Sequence, residues 1–171
     1  MKRRIEKCLG IRNVEMGSGI VGSAEVAEHV VQKIGSLFYT RILLDLTGLD
    51  SGGTADDIIG GEDLANCHLG KIRAGVHGTI FAGRLSCLET PATGDDDLNL
   101  YSADEGTGVQ DAAISGLTET QLLDGGDHTS ASSTGLSALP ADGEFLYLTG
   151  GYGDCDATYT AGKVLIELWG T

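Results

Sequence analysis

No stretch of this sequence stays apolar for the roughly 18 residues that a membrane-spanning helix needs, so no membrane partner is expected. The opening residues Met1-Lys2-Arg3-Arg4-Ile5-Glu6-Lys7 are basic but lead into no apolar core, so no secretory signal peptide is expected. Asn13, Asn66 and Asn99 all fail the Asn-x-Ser/Thr pattern, which excludes N-glycosylation at them. Among Cys8, Cys67, Cys87 and Cys155 no two stand as Cys-x-x-Cys, and the spacings fit no zinc template. Cys67, His68, His77 and Cys87 share one short stretch, but strand alternation would scatter them over two sheet faces. Cys67 and Cys87 would bridge only if their backbones came within about 6 Å. All four thiols are therefore read as small hydrophobes of a protein assembled in reducing cytoplasm.

Basic residues are the next shortage. Ten of the 11 Lys and Arg lie at or before Arg84, and Lys163 is the only base in residues 85–171. That half carries the whole of the net charge of -14 and would repel a phosphate backbone, so no nucleic-acid partner is expected. Lys2, Arg3, Arg4, Lys7 and Arg12 crowd the N-terminus. The plain reading of that cluster is a solvated end; the sharper one is a docking arm that seeks an acidic surface.

What the chain has in excess is glycine, 27 of 171 residues, with 41% hydrophobic residues. The hydrophobic share excludes general disorder, and the glycines favour short strands joined by tight turns over helices. Residues 36–47 are rich in strand formers and stop at Gly48. A short strand is expected over Leu69–Arg73. Residues His77–Glu89 alternate, which puts Phe81, Leu85 and Cys87 on one, inner, face. Strands are also expected at Leu98–Ser102, Glu144–Thr149 and Val164–Trp169, the first two after the turn signals Pro91-to-Asp97 and Pro140-Ala-Asp-Gly143. Weak strands are expected around Ala113-Ile114 and Leu117, and Leu117–Leu123 is readable as one or two helical turns. The pattern predicts an all-β protein, an antiparallel β-sandwich or jelly-roll-like single domain over residues 23–171, with a basic, Gly-rich N-terminal arm over 1–22.

Gly17-Ser-Gly-Ile-Val-Gly22 matches the Gly-x-Gly-x-x-Gly dinucleotide fingerprint, Ser23–Ile34 is readable as a capped helix, and Asp45 stands near the place of a ribose-binding acid. Against this nucleotide reading, Ile11–Met16 is too short and charged for a buried parallel strand, and no strand–helix alternation follows residue 48. Residues 24–34 are therefore read as a strand, with Val26, Glu28 and Val30 alternating against Ala27, His29 and Val31. Other chemistry is thin. His29, His68, His77 and His128 fall into no recognisable spacing, and no catalytic constellation, cofactor motif or metal set is expected. The acidic turns with Asp95, Asp96 and Asp97, with Asp124 and Asp127, and with Asp154 and Asp156 offer oxygen ligands for calcium but match no EF-hand loop; solvated turns are the plainer reading.

Several segments resemble a group of virion structural proteins of tailed, largely aquatic bacteriophages. They include Thr40-Arg-Ile-Leu-Leu-Asp-Leu-Thr-Gly-Leu49, Asp57-Ile-Ile-Gly60, Gly78-Thr-Ile-Phe-Ala-Gly83, Cys87-Leu-Glu-Thr-Pro91 and Asp97-Leu-Asn-Leu-Tyr-Ser102. Glu105-Gly-Thr-Gly-Val109, Leu117-Thr-Glu-Thr120, Tyr147-Leu-Thr149, Tyr159-Thr-Ala-Gly-Lys163 and Ile166-Glu-Leu168 extend the resemblance in order over about residues 35–171. The resemblance implies a capsid-decorating (cement) protein on the outer surface of the virion, made in the host cytoplasm and assembled as a homotrimer. Its partners would be the major capsid protein and other virion proteins. It has no catalytic residue to carry over, so no enzymatic activity is expected. On this reading Lys2, Arg3, Arg4, Lys7 and Arg12 form the capsid-docking arm, and Phe38, Tyr39 and Trp169 are candidate interface aromatics. The competing class is a carbohydrate-binding adhesin domain of a tail or fibre, with Tyr101, Tyr152 and Tyr159 as the place for a sugar.

Overall fold

The computed structural model describes residues 10–151 and 155–171. Nine strands are described: β1 (Ile11–Asn13), β2 (Ala27–Ile34), β3 (Leu37–Asp45), β4 (Ile80–Ala92), β5 (Leu98–Ala103), β6 (Glu119–Leu123), β7 (Ser133–Gly135), β8 (Phe145–Gly150) and β9 (Ala161–Gly170). The described helices are single turns, α1 (Ser18–Val21), α2 (Ala74–His77) and a 3-10 turn at Ile114–Gly116. All strand pairings are antiparallel and form two sheets, a six-stranded one in the order β1-β2-β3-β9-β4-β7 and a three-stranded one in the order β6-β5-β8. The protein is thus the all-β sandwich that composition and alternation predict.

The core lies between the sheets. Ile42 and Leu44 of β3, Leu85 of β4 and Ile166 and Leu168 of β9 join Leu100 of β5 and Leu146 and Leu148 of β8 in one buried cluster, with Ile58, Ile59 and Leu69 from the long β3–β4 connection. β2 turns into β3 through Gly35-Ser36, the former at φ 64, a left-handed conformation that suits a two-residue hairpin turn of matching twist. Within β2 the alternation buries His29 and Val31 and leaves Glu28 exposed, so residues 27–34 form the expected strand.

Four expectations need correction. First, β4 does not bury Phe81. Its pairing with β9 shifts between Ile80 and Ala82, so a bulge absorbs one residue; Ile80 is buried and Phe81 is 53% exposed, while Leu85 and Cys87 keep the inner face. His77 is not in that strand but ends α2. Second, Leu69–Arg73 makes one bridge, Lys71 with Phe145, rather than a strand. Third, the segment read as helical turns contains β6, held extended by pairing with β5, and the 3-10 turn replaces the weak strand near Ile114. Fourth, residues 10–22 are built into the sandwich. β1 pairs with β2, and Ile20 of α1 is fully buried, so Gly22 does not separate an arm from the domain. Lys2, Arg3, Arg4 and Lys7 lie outside the described residues.

Candidate functional site

Strand alternation turns Thr40, Ile42 and Leu44 inward, so Tyr39, Arg41 and Leu43 point to the opposite face of the large sheet. The register sets Tyr39 beside Trp169, Arg41 beside Glu167 and Leu43 beside Leu165. It continues to Ala82, Arg84 and Ser86 of β4. This face is open, with Arg41 and Arg84 exposed and Tyr39, Leu43, Leu165 and Trp169 half-buried. Glu167 is its fixed point. It accepts hydrogen bonds from the Tyr39 hydroxyl and from Arg84 Nε, both at 2.5 Å. The Arg84 guanidinium lies 5.7 Å from the Trp169 ring centroid, and the Tyr39 and Trp169 rings are 6.0 Å apart. Burial pushes the Glu167 carboxyl up, but the bonds from Arg84 and Tyr39 outweigh it and hold the group below its ordinary range. The Tyr39 hydroxyl is pushed up to about 12 by burial and then by its bond to the Glu167 carboxylate.

The other charges of this face are also matched. Lys163 Nζ sits 3.0 Å from Asp45 and 2.7 Å from Glu89, and Arg41 lies 3.7 Å from Glu28. The face is therefore nearly neutral in an acidic protein, and it presents flat aromatic and aliphatic area. Sequence reasoning picked out Tyr39 and Trp169, and the fold brings them together. Phe38 is separate. It points to the opposite side of β3, where Lys33 Nζ lies 4.8 Å over its ring and Gly78 abuts it. Arg84 and Glu167 were missed, although a lone Glu within Val164-Leu-Ile-Glu-Leu-Trp169 is the mark of a paired carboxylate on a strand.

The cations that these pairs do not use gather elsewhere. Among the described residues Arg12, Lys33, Lys71 and Arg73 make no ion pair. Arg12 lies in β1, the edge strand of the large sheet, and Lys33 in the neighbouring β2; Lys71 and Arg73 line the cleft that adjoins Val14–Met16 beyond β1. Arg12 Nη1 donates to the Gly75 carbonyl at 3.0 Å, beside Arg73, and Lys33 pairs through its N–H with Gly10, where the described chain begins. Lys71 Nζ lies 4.7 Å over the Phe145 ring. Of the docking cluster expected from sequence, Arg12 is the member described here. Lys71 and Arg73 were missed, though residues 64–88 carry three bases and no acid.

The Gly17–Gly22 segment adjoins this edge. It is not a dinucleotide loop of the expected kind, because β1 and β2 run antiparallel and α1 is a single turn. Its glycines answer to packing. A Cβ on Gly17 would stand 1.7 Å from the Asn66 carbonyl oxygen, and one on Gly19 would stand 2.5 Å from Cys67 Sγ. The segment walls a cleft of about 350 Å³ shared with Glu15, Asn66, His68, Lys71, Arg73 and Phe145. His68 is packed on Phe145, ring centroids 4.8 Å apart, and burial lowers its pKa against the opposing pull of Glu15. Its Nδ1 is buried without a hydrogen-bond partner.

The remaining sequence candidates are dispersed. Tyr101 and Tyr159 are buried, the latter donating its hydroxyl proton to the Asp95 carbonyl, so neither offers a ring to a sugar; Tyr152 lies outside the described residues. Cys67 and Cys87 are buried thiols without a disulfide, Cys155 is half-buried, and Cys8 lies outside the described residues. Asp95 and Asp97 shape their own turn, with the Asp97 N–H on Asp95 Oδ1 at 3.0 Å. Asp97 is pushed up by burial and then by Asp95, Asp124 and Asp127. Among the described residues no three His, Cys, Asp or Glu side chains are grouped so as to hold a metal ion; Asp154 falls outside them. No helix among them is long and apolar enough to cross a membrane. No protein-family model, curated protein or solved structure matches this chain.

Proposed function

We propose that this protein is a virion structural protein of a tailed bacteriophage that decorates the outer capsid surface and adds contacts between neighbouring capsomers. The observation that carries the reading is the open face of the large sheet, where Tyr39, Trp169 and Arg84 surround a buried, fully bonded Glu167. Aromatic and Arg side chains held rigid on a near-neutral surface are the composition of an interface centre. The resemblance of residues 35–171 to virion proteins supplies the partner, the major capsid protein. The acidic second half keeps the protein away from packaged DNA, and the basic β1 edge adds a second point of attachment. A homotrimer suits a site between capsomers. A protein that binds only the assembled shell stabilises it by linkage and needs no active site.

The test is the copy number of this protein in purified particles, relative to the major capsid protein. A ratio near one, or a simple fraction of it, is expected. A few to a few dozen copies per particle would move the protein to the tail or fibres, and its absence would end the virion reading. Trp169→Ala is then expected to weaken rebinding to stripped shells at least tenfold while leaving the circular dichroism spectrum unchanged.

A further inference from the structure

The cleft beside α1 has the features of a peptide site. It has two walls of extended chain, Val14–Met16 on one side and His68–Arg73 on the other, joined at one end by the Gly17 N–H to His68 carbonyl bond of 2.8 Å. Beyond that bond Val14–Met16 and Leu69–Arg73 make no main-chain hydrogen bond to each other. The Glu15 and Met16 N–H groups bond to no described residue. On the opposite wall Gly70 accepts from Leu146 at 3.0 Å and Ile72 donates to Glu144 at 2.8 Å, which turns the N–H and carbonyl of Lys71 away from β8 and leaves both without a described partner. Unpaired main-chain groups on extended walls are what an added strand uses for affinity.

The side chains state which strand. Lys71 and Arg73 line the cleft with no carboxylate partner, and Lys71 is held over Phe145. Asn66 and Ser18 add neutral polar groups. Glu15 is the acid that lines it, and the neighbouring Asp142 and Glu144 already accept the Ala74 and Ala141 N–H groups at 2.7 Å. We infer that this cleft binds an extended acidic polypeptide segment, with its carboxylates on Lys71 and Arg73 and its main chain on Glu15, Met16 and Lys71. A nucleic acid offers phosphates but no peptide main chain to pair with the free N–H and carbonyl groups of the two walls. The inference rests on the reading that the β1 edge is a docking edge, and it names the chemistry of what docks there.

The probe is a capped hexapeptide of alternating aspartate and leucine, titrated into the isotopically labelled full chain. The controls are the same peptide with asparagine in place of aspartate, acetate at equal carboxylate concentration, and inorganic phosphate. Saturable amide shifts are expected at Glu15, Met16 and Lys71, with ring shifts at His68. Arg73→Gln and Lys71→Gln should each weaken binding about tenfold, and Arg41→Gln, on the far face, should leave it unchanged. The inference is overturned if the asparagine peptide binds as well, if acetate or phosphate saturates the same amides as tightly, or if the Lys71 and Arg73 variants bind like wild type. None of these outcomes changes the particle copy number, so the two readings fail separately.

Discussion

The buried imidazole pair His29–His77 makes stability depend on pH in a direction the structure specifies. His29 Nδ1 lies 2.8 Å from the Leu69 carbonyl, which only accepts, so Nδ1 carries the proton and Nε2 is bare. That Nε2 accepts a hydrogen bond from His77 Nε2–H at 3.1 Å, and the bare His77 Nδ1 accepts the Arg73 N–H at 3.0 Å. The chain of bonds closes only with both rings neutral. One added proton forces His77 to change tautomer and turn Nδ1–H to the Arg73 carbonyl, 3.1 Å away, which strands the Arg73 N–H. The Arg73 charge that faces His77 is positive and opposes its protonation. Burial, and then His77, holds His29 at about 4 against the bond to Leu69; burial also lowers His77. Both folded values lie below the ordinary 6.5, so the unfolded chain binds more protons and stability falls as pH drops below about 6.5. For His29 alone the loss is about 2 kcal/mol between pH 7.5 and 5, and about 3 kcal/mol once pH passes below 4. With a urea slope near 2 kcal/mol/M, the midpoint should fall by about 1 M between pH 7.5 and 5. Asp45 and Glu167, held low, lose their contribution only at more acidic pH, and Asp57 and Asp97, held high, act in the opposite sense. His29→Gln should flatten the curve in this window. Ring titration of wild-type His29 near 6.5, or equal stability at pH 7.5 and 5, would refute the reasoning.

Three further outcomes follow from packing. Gly17→Ala should destabilise by about 3 kcal/mol, because its Cβ meets the Asn66 backbone, whereas Gly75→Ala, in α2 with nothing within 4 Å, should be neutral or stabilising by about 0.5 kcal/mol; thermal melts separate them. Ile80→Ala should cost about 3 kcal/mol and Phe81→Ala less than about 0.5 kcal/mol in urea unfolding, and the reverse order would mean the bulge is misplaced. Burial pushes the Cys67 thiol up to about 11 and also raises Cys87, so alkylation mapped by mass spectrometry should spare both in the native protein and label both in urea.

Where several strong local signals agreed, sequence and structure agree. β3 and β8 each join apolar or β-branched alternation to a glycine just past or at the end. β3, β5 and β8 form within about two residues of their expected limits, while β9 starts three residues before its expected Val164, at Ala161. The misreadings sit where one residue or one distant partner decides. A single bulged residue at Phe81 inverts the phase of the first turn of β4, and no period within residues 77–89 announces it. Residues 119–123 are too few for a period of 3.6 to be told from one of 2, and it is β5 that holds them extended. The Tyr39–Glu167–Arg84 contact joins residues 128 and 83 positions apart and depends on the β3–β9–β4 order, which alternation does not encode.

The glycines of the Gly-x-Gly-x-x-Gly match serve close packing. Gly17 and Gly19 allow α1 to press against the backbone of residues 65–67, and that contact brings Val14–Met16 alongside His68–Arg73. The same close approach therefore builds the cleft and puts it beside the cations that the outer face leaves unpaired. On the large sheet Arg41, Arg84 and Lys163 are matched by Glu28, Glu167, Asp45 and Glu89, so that face gains contact area without net charge. Arg12, Lys33, Lys71 and Arg73 remain unmatched on and beside the β1 edge. In a chain of net charge -14, these cations without carboxylate partners set this edge apart from the rest of the surface. On the decoration reading proposed above, they orient the molecule toward an acidic surface, and the near-neutral aromatic face then supplies the contact area.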